Sequence, residues 1–133
     1  MKVYLAARYS RRDELREYKT ALEAIGVEIT SRWLNETEPL DSQMVEHSEA
    51  FYVETATIDF QDVDAADALV FFSENPLVGW PRGGRHVEYG YAFKGNKPIY
   101  VVGPKENVFH YIGMVKHFAT FEELVAHLKT VGV

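Results

Sequence analysis

The stretch Ala68-Leu69-Val70-Phe71-Phe72 is the most strongly apolar run of the chain. An unbroken apolar run of this length is typical of a strand that is buried on both faces, as the central strands of parallel sheets are. Other short apolar runs lie before and after it, and longer amphipathic segments separate them. Because short apolar runs alternate with helical segments, the pattern predicts βα units around a parallel sheet.

Five strands are predicted from these runs, over residues 3–7, 27–30, 68–72, 98–103 and 117–119. The predicted fold class is therefore α/β, with a doubly wound (Rossmann-like or flavodoxin-like) five-stranded parallel sheet. The strand order expected at this length is 2-1-3-4-5. In that order a ligand crevice lies between the first and third strands, outside their carboxyl ends. The loops expected to line it are residues 8–12 and 73–88.

Helix boundaries are predicted from capping residues. Ser10 is predicted to cap a helix that runs to about Ala24. Asp41 is predicted to cap a long helix, one side of which carries Met44, Ser48, Phe51, Thr55 and Ile58. Further helices are predicted over residues 85–94 and 108–115, and from a capping box at residues 120–123 onward.

The composition is that of one ordinary domain, and residues 1–133 are expected to fold as a single unit. The sequence has no cysteine, which excludes disulfides, thiolate metal sites and thiol nucleophiles. A net charge of −6 opposes binding to nucleic acid or to an anionic membrane. No apolar run approaches the roughly 20 residues of a membrane span, and the first residues lack the apolar length of a signal peptide. A cytoplasmic protein is therefore expected.

The loop after the first predicted strand carries Arg8, Arg11 and Arg12, with Ser10 among them. The free N–H groups and the dipole of a helix start form an anion site, and arginine adds donors that match phosphate. This local reversal of sign in an acidic chain favours phosphate binding. The alternative is a solvated helix start whose arginines pair with the acidic residues that follow. The loop lacks a G-x-G-x-x-G pattern, which disfavours a dinucleotide-binding Rossmann enzyme.

Glu88 follows the glycine-rich second loop and falls in the first turn of the helix predicted over residues 85–94. A helix dipole favours an ionised carboxylate at that place. Asp59, near the end of the long helix, is expected to point toward the same crevice. Two carboxylates from different elements are the general equipment for cleaving a glycosidic bond. Taken alone, however, Glu88 fits better as an ordinary solvated acid at a helix start.

Four aromatic residues near the crevice are candidates for stacking on a nucleobase: Tyr9, Trp33, Trp80 and Tyr89. Trp80 is favoured because it lies in the second loop, and the alternative for all four is a place in the core. The five histidines have no metal-ligand spacing on one helix, so no metal site is predicted.

Over most of its length the chain resembles the nucleoside 2-deoxyribosyltransferase superfamily, in particular its nucleotide N-glycosidase branch. That branch includes the 2′-deoxynucleoside 5′-monophosphate N-glycosidases and the hydroxymethyl-cytidylate hydrolases. The resemblance rests on residues 3–7, on Asp59 eight residues before Asp67, and on Lys97-Pro98 before a strand. It rests above all on the stretch Gly84-Arg85-His86-Val87-Glu88-Tyr89-Gly90-Tyr91-Ala92.

The resemblance implies a role for each matching position. Glu88 would be the nucleophile that attacks C1′ of the sugar, and Asp59 would orient the sugar or protonate the departing base. Substrate-binding roles, chiefly at a 5′-phosphate, fall on Arg8, Ser10, Arg11, Gly84 and His86. In the transferases an asparagine of a neighbouring subunit helps to complete the site, and Asn107 is the nearest candidate here. The family's first loop is usually richer in glycine than residues 7–9 of this chain.

The implied function is an N-glycosidase that acts on a nucleoside 5′-monophosphate through a covalent glycosyl–enzyme, without a metal or redox cofactor. The family also implies a homodimer or higher homo-oligomer, with residues 51–53 as a candidate dimer face. Related chemistries stay open: a transferase that exchanges bases, a NAD-cleaving glycosidase or a cytokinin-type phosphoribohydrolase. A non-catalytic nucleotide-binding module on the same fold is the alternative from a different class.

Overall fold

The computed structural model describes residues 1–37, 47–75 and 83–132. Within these ranges the chain forms one parallel five-stranded sheet in the order β2-β1-β3-β4-β5. The α/β fold class and the strand order predicted from the sequence are therefore confirmed. The strands are β1 (Lys2–Ala6), β2 (Glu28–Ile29), β3 (Ala68–Phe72), β4 (Ile99–Val102) and β5 (Lys116–Phe118).

Helical segments connect the strands along the chain, as parallel pairing requires. The α-helices of the described ranges are α1 (Arg12–Glu23), α2 (Glu49–Ala65), α3 (Gly84–Lys94) and α4 (Phe121–Thr130). Short 3₁₀ turns cover Tyr9–Arg11, Arg32–Asn35 and Val108–Tyr111.

Strand β3 lies at the centre of the sheet, hydrogen-bonded to β1 on one side and to β4 on the other. All five of its residues are buried, which confirms that this strand is covered on both faces. Full burial of a leucine, valine or phenylalanine side chain stabilises the fold by about 1.5–3 kcal/mol. The stretch 68–72 thus organises the core because its neighbours in the sheet bury it completely.

The start of helix α1 differs from the prediction. Ser10 does not cap a helix but lies inside the 3₁₀ turn Tyr9–Arg11, and α1 begins at Arg12. Arg8 has an extended backbone, and the N–H of Arg11 donates to the Arg8 carbonyl at 3.0 Å. The chain enters the helix through this backbone turn, without a capping hydrogen bond from a side chain.

Helix α2 also begins differently. Ser48, predicted on a helix face, is the N-cap of α2, and its Oγ accepts a hydrogen bond from the N–H of Phe51 at 3.1 Å. A serine in this place satisfies one of the free N–H groups of the first turn. The predicted cap Asp41 and the predicted face residue Met44 lie outside the described residues.

The C-terminal part of the fold differs from one prediction and agrees with another. The helix predicted over residues 108–115 is only a 3₁₀ turn, Val108–Tyr111. The predicted capping box at the start of α4 is present: Thr120 Oγ1 accepts from the N–H of Glu123, and the Glu123 carboxylate accepts from the N–H of Ala119. In the ranges that the structure describes, every helix is too short or too polar to cross a membrane.

The parallel arrangement brings the carboxyl ends of β1 and β3 to one edge of the sheet. The segment after β1 and the start of α3, which follows β3, therefore meet at that edge, as expected for a doubly wound sheet. Side chains far apart in sequence become neighbours there, and the candidate site is built from them.

Candidate functional site

A cavity of about 400 Å³ opens at the carboxyl edge of β1 and β3. Its walls come from the segment after β1, the 3₁₀ turn 32–35 and its exit, the N-terminal part of α2 and the first turn of α3. The lining residues are Ala7, Arg8, Tyr9, Trp33, Glu36, His47, Phe51, Tyr52, Thr55, Asp59, Gly83, Gly84, Arg85 and Glu88. Both carboxylates selected from the sequence, Glu88 and Asp59, thus face the same cavity.

Helix α3 brings Glu88 to the cavity wall. The N-cap of α3 is Gly83, whose φ of +87° lies in the left-handed region that glycine enters without strain. Because α3 begins at Gly84, Glu88 lies in its second turn and not in the predicted first turn, and its carboxylate accepts a hydrogen bond from the Tyr4 hydroxyl of β1. Tyr4 is completely buried in the core of the sheet. A rigid strand therefore fixes the position of the Glu88 carboxylate.

Burial dominates the electrostatics of Glu88. It raises the pKa of this carboxyl to about 8, the Tyr4 hydrogen bond acts in the opposite direction, and the charge of Asp59 adds to the rise. Burial, together with the nearby charges of Glu88 and Asp59, also raises the pKa of Tyr4, so its hydroxyl stays a donor. Glu88 is thus a desolvated carboxyl group whose ionised form is stabilised by one oriented donor.

Asp59 lies on α2 and is partly buried at the same cavity. The pKa of Asp59 is raised to about 7, chiefly by burial and then by the charges of Glu36 and Asp62, while Arg32 lowers it. Asp62 is itself occupied, because its carboxylate accepts hydrogen bonds from the backbone N–H and Nε of Arg32 at 2.9 and 2.8 Å. A carboxyl group with a pKa near neutrality can both hold and release a proton, as a general acid must.

The three predicted phosphate-binding residues of the first loop have different surroundings. Arg8 lines the cavity, and no described residue forms an ion pair with its guanidinium. Arg11 instead donates to Glu14 at 2.8 Å and 2.7 Å and to the Ser73 carbonyl at 3.2 Å, so it links α1 to the end of β3. Ser10 is exposed in the 3₁₀ turn. The structure brings only Arg8 of this set to the cavity.

The predicted site residues around the second loop also have different surroundings. Gly84 lines the cavity at the start of α3. His86 lies beside the cavity lining, with its Nδ1 3.5 Å from Asn107 Nδ2. Asn107 caps the 3₁₀ turn of its own chain by accepting from the N–H of Phe109 at 2.9 Å. Trp80 lies outside the described residues.

Two residues that sequence reasoning missed hold the start of α3 in place. Arg85 is buried, donates to the Glu106 carboxylate and lies over the Phe71 ring. Glu106 also accepts from the N–H of Glu74 at 3.0 Å. This pair ties α3 to the loops after β3 and β4. A single acid after β4 gives no sequence signal, because its partner lies 21 positions away.

Trp33 forms an aromatic wall of the cavity. Its indole Nε1 donates to the Leu5 carbonyl of β1 at 2.9 Å, and only 7% of the residue is exposed. The Tyr9 ring lies 6.2 Å from it, centroid to centroid. Tyr89, another stacking candidate, does not line the cavity, and its hydroxyl donates to the Phe109 carbonyl at 2.7 Å. The wall is therefore built from Trp33 and Tyr9, with Phe51 of α2 nearby in the lining.

The arrangement combines two desolvated carboxyl groups, an aromatic wall, the N-terminus of α3 and the Arg8 guanidinium, which has no ion pair within the described ranges. A carboxylate held by a fixed donor can attack an electrophilic carbon, and a second carboxyl with a pKa near 7 can supply a proton. The helix N-terminus and Arg8 favour an anionic group of a ligand. Among the described residues, no group of three or more His, Cys, Asp or Glu side chains is arranged to hold a metal ion.

No family model and no curated protein matches the chain, whereas several solved structures have a similar fold. The CMP N-glycosidase BcmB of Clostridium botulinum matches with a TM-score of 0.60 and 17% identity, over 98% of this chain and 99% of that chain. A 2-deoxyribosyltransferase of Bacillus psychrosaccharolyticus matches with a TM-score of 0.71 and 17% identity, over 94% and 90%. A conserved protein of Enterococcus faecalis V583 matches with a TM-score of 0.63 and 16% identity, over 98% of both chains. At this identity the likeness establishes the fold.

We expect the two cavity carboxyls to make stability fall with rising pH. Their pKa values in the fold, about 8 for Glu88 and about 7 for Asp59, exceed the ordinary values of 4.5 and 3.8. The folded state therefore binds more protons between about pH 4 and 8, and the unfolding free energy declines across that window. Glu88→Gln removes the contribution of Glu88, so the unfolding free energy of this variant should rise relative to that of the wild type by about 3 kcal/mol between pH 5 and pH 8.

Urea denaturation at the two pH values measures this difference. Glu54→Gln, which removes an exposed carboxylate from α2 outside the cavity lining, is the matched control and should change neither value. If the unfolding free energy of Glu88→Gln differs from that of the wild type by the same amount at both pH values, the burial of Glu88 is contradicted.

Proposed function

We propose that this chain is an N-glycosidase of the nucleoside 2-deoxyribosyltransferase superfamily that cleaves the base–sugar bond of a (deoxy)nucleoside 5′-monophosphate. The observation that carries the proposal is the cavity shared by Glu88 and Asp59, with Glu88 held by the buried Tyr4 hydroxyl. The likeness in fold to a CMP N-glycosidase and to a 2-deoxyribosyltransferase supports it. A small-molecule nucleotide is the substrate, and the cytoplasm is the proposed location.

In the first step the ionised Glu88 carboxylate attacks C1′ of the sugar and the C1′–N bond breaks. The base leaves with the bonding electron pair and takes a proton from Asp59, so a glycosyl ester of Glu88 remains. In the second step a water molecule attacks C1′ and gives a proton to Asp59 while the C1′–O bond to Glu88 breaks, which restores the ionised Glu88 carboxylate. The products are the free base and the sugar phosphate. The two carboxyls supply nucleophile and proton, so the reaction needs no metal or redox cofactor.

The reaction requires Glu88 ionised while Asp59 is protonated. The two groups interact, so their protons belong to the pair rather than to one residue. Because the pKa of Glu88, about 8, lies above that of Asp59, about 7, the microstate with Glu88 ionised is the minor form of the singly protonated pair, and the hydrogen bond from the Tyr4 hydroxyl raises its share. Positive charge that develops at C1′ in the transition state lies against this carboxylate and lowers the barrier further.

Arg8 and the N-terminus of α3 provide the proposed phosphate site. Arg8 lines the cavity together with Gly83 and Gly84, whose backbone opens α3. Arg11 is already paired with Glu14, and Arg12 is buried with its guanidinium over the Tyr9 ring. A phosphate bound by Arg8 supplies binding energy remote from the reacting bond and positions C1′ against Glu88.

We predict base release that depends on Glu88. Chromatography of a panel of nucleoside 5′-monophosphates and matching nucleosides should show free base from the monophosphates with the wild-type protein. Glu88→Gln should lower kcat about a thousandfold or more, because the nucleophile is lost. Glu54→Gln should retain full activity. Absence of base release from every compound, with nucleotide binding retained, would mean a non-catalytic nucleotide-binding module instead.

We predict a separate effect of Arg8 on substrate choice. Arg8→Ala should raise the KM for monophosphates about tenfold to a hundredfold, because a charge-assisted contact to phosphate is lost. Nucleosides lack this phosphate, so their slower cleavage should change little. Lys105→Ala, which removes an exposed cation outside the cavity lining, is the control. If Arg8→Ala raises the KM for nucleosides as much as the KM for monophosphates, Arg8 does not bind the phosphate.

Base exchange is the second candidate function, because the 2-deoxyribosyltransferase matches with a TM-score of 0.71. Hydrolysis and transfer share the glycosyl–enzyme and differ only in whether water or a second base accepts the sugar. Product release that appears only when a second base is added to the reaction would assign the transferase function.

The proposal includes a homo-oligomer. Exposed apolar side chains mark surfaces that associate with other proteins. The predicted face on α2 presents Val53 at 64% exposure, and the 3₁₀ turn after β4 presents Val108 at 75% and Phe109 at 60%. Phe51 and Tyr52 of the predicted face line the cavity, so association on α2 would also narrow its opening.

Light scattering during size-exclusion chromatography should therefore give the mass of two or more chains. Val53→Glu or Phe109→Glu should reduce it to one chain, according to which surface is used, while the exposed Lys129→Glu leaves it unchanged. A wild-type protein that elutes with the mass of one chain at high micromolar concentration would contradict the oligomer.

A further inference from the structure

Three carboxyl groups follow one another along the cavity. Glu36, Asp59 and Glu88 all line it. The negative charge of Glu36 acts on Asp59, and that of Asp59 acts on Glu88. Helix α2, which carries Asp59, contacts both the 3₁₀ turn before Glu36 and helix α3, which carries Glu88, so Asp59 lies between the other two. If C1′ of a bound nucleotide lies at Glu88 and the leaving nitrogen at Asp59, the group that extends beyond Asp59 toward Glu36 is the base.

The backbone of Glu36 is firmly held. Arg16 of α1 donates through Nε to the Leu34 carbonyl at 2.6 Å and through Nη2 to the Glu36 carbonyl. The N–H of Glu36 donates to the Trp33 carbonyl at 3.3 Å and closes the 3₁₀ turn. These contacts use only the main chain of Glu36. In the described part of the chain no hydrogen bond or ion pair engages its carboxylate, which remains available to a ligand.

Trp33 gives this end of the cavity a flat wall. Its ring is fixed by the hydrogen bond to the Leu5 carbonyl and lies three residues before Glu36. Aromatic faces accept the flat rings of nucleobases, while a carboxylate at the rim contacts polar atoms of the ring edge. The end of the cavity near Glu36 therefore offers a stacking surface and an acceptor in one place.

We propose that Glu36 reads the base edge and selects bases that carry an exocyclic amino group, cytosine- and adenine-type, over their oxo counterparts. This inference rests on the proposed function of the same cavity. An ionised carboxylate has acceptors only, so it receives hydrogen bonds from an amino group. A carbonyl oxygen in the same place is a second acceptor, and the two oxygens repel each other without a shared hydrogen. Sites built on such hydrogen bonds reject the mismatched analogue strongly.

The test compares matched pairs of nucleotides, CMP with UMP and AMP with IMP, together with their deoxy forms. Dissociation constants are measured calorimetrically with the Glu88→Gln protein, which holds the nucleotide without turnover. Amino members should bind about tenfold to a hundredfold more tightly than oxo members, the range expected for a hydrogen bond to a charged group. Adding Glu36→Gln should abolish this ratio, because an amide side chain both donates and accepts.

The ratio within a pair cancels effects common to both members, such as the influence of Glu36 on Asp59. Glu54→Gln, added to Glu88→Gln instead of Glu36→Gln, should leave the ratio of the two dissociation constants unchanged. Equal dissociation constants for amino and oxo members would overturn the base-reading role, even if monophosphates are hydrolysed. So would a Glu36→Gln substitution that weakens the binding of both members by the same factor. An amino preference without base release would support the role of Glu36 and contradict the proposed activity. No binding of any nucleotide would overturn both.

Discussion

The hydrogen bond from the Tyr4 hydroxyl to the Glu88 carboxylate joins the core of the sheet to the candidate site. Strand β1 has a second connection of this kind, because the Leu5 carbonyl accepts from Trp33 and the Leu5 N–H donates to Ser31. One buried strand thus positions both the Glu88 carboxylate and the aromatic wall of the cavity. The geometry of the site does not depend on exposed loops for these two elements, which is how preorganised sites are built on rigid elements.

The same contact sets the energetics of the site. A carboxyl group removed from water favours its neutral form, and a second carboxyl close by strengthens this preference. The fold therefore holds Glu88 and Asp59 at an energetic cost that the fully buried central strands offset. The Arg85–Glu106 pair contributes differently: its charges neutralise each other and fix the start of α3. In the described part of the cavity, the positive charge available to an anionic group of a ligand then comes from Arg8 and the N-terminus of α3.

Much of the fold could be predicted because apolar runs separated by amphipathic segments indicate the strands and helices, while the strand order is predicted from what is common for a parallel sheet of this length. Glu88 and Asp59 could be selected by residue type and resemblance, although only the structure shows that they share a cavity. Arg11 shows where sequence reasoning ends: its pairing with Glu14, three residues on, is one of two interpretations of the first loop, whereas its contact with the Ser73 carbonyl depends on tertiary packing. The contact of Tyr4 with Glu88 could not be predicted, because Tyr4 lies in an apolar run, where a tyrosine is indistinguishable from any aromatic residue of the core.

The most direct test of the account is to trap the glycosyl ester on Glu88. The protein is mixed with a 2′-fluoro-substituted nucleoside 5′-monophosphate, whose fluorine destabilises positive charge at C1′ and slows release of the sugar, and is then quenched with acid. Intact-mass and peptide analysis should show an added sugar phosphate on the peptide that contains Glu88. Base release without any adduct would mean that water attacks C1′ directly and that Glu88 is not the nucleophile.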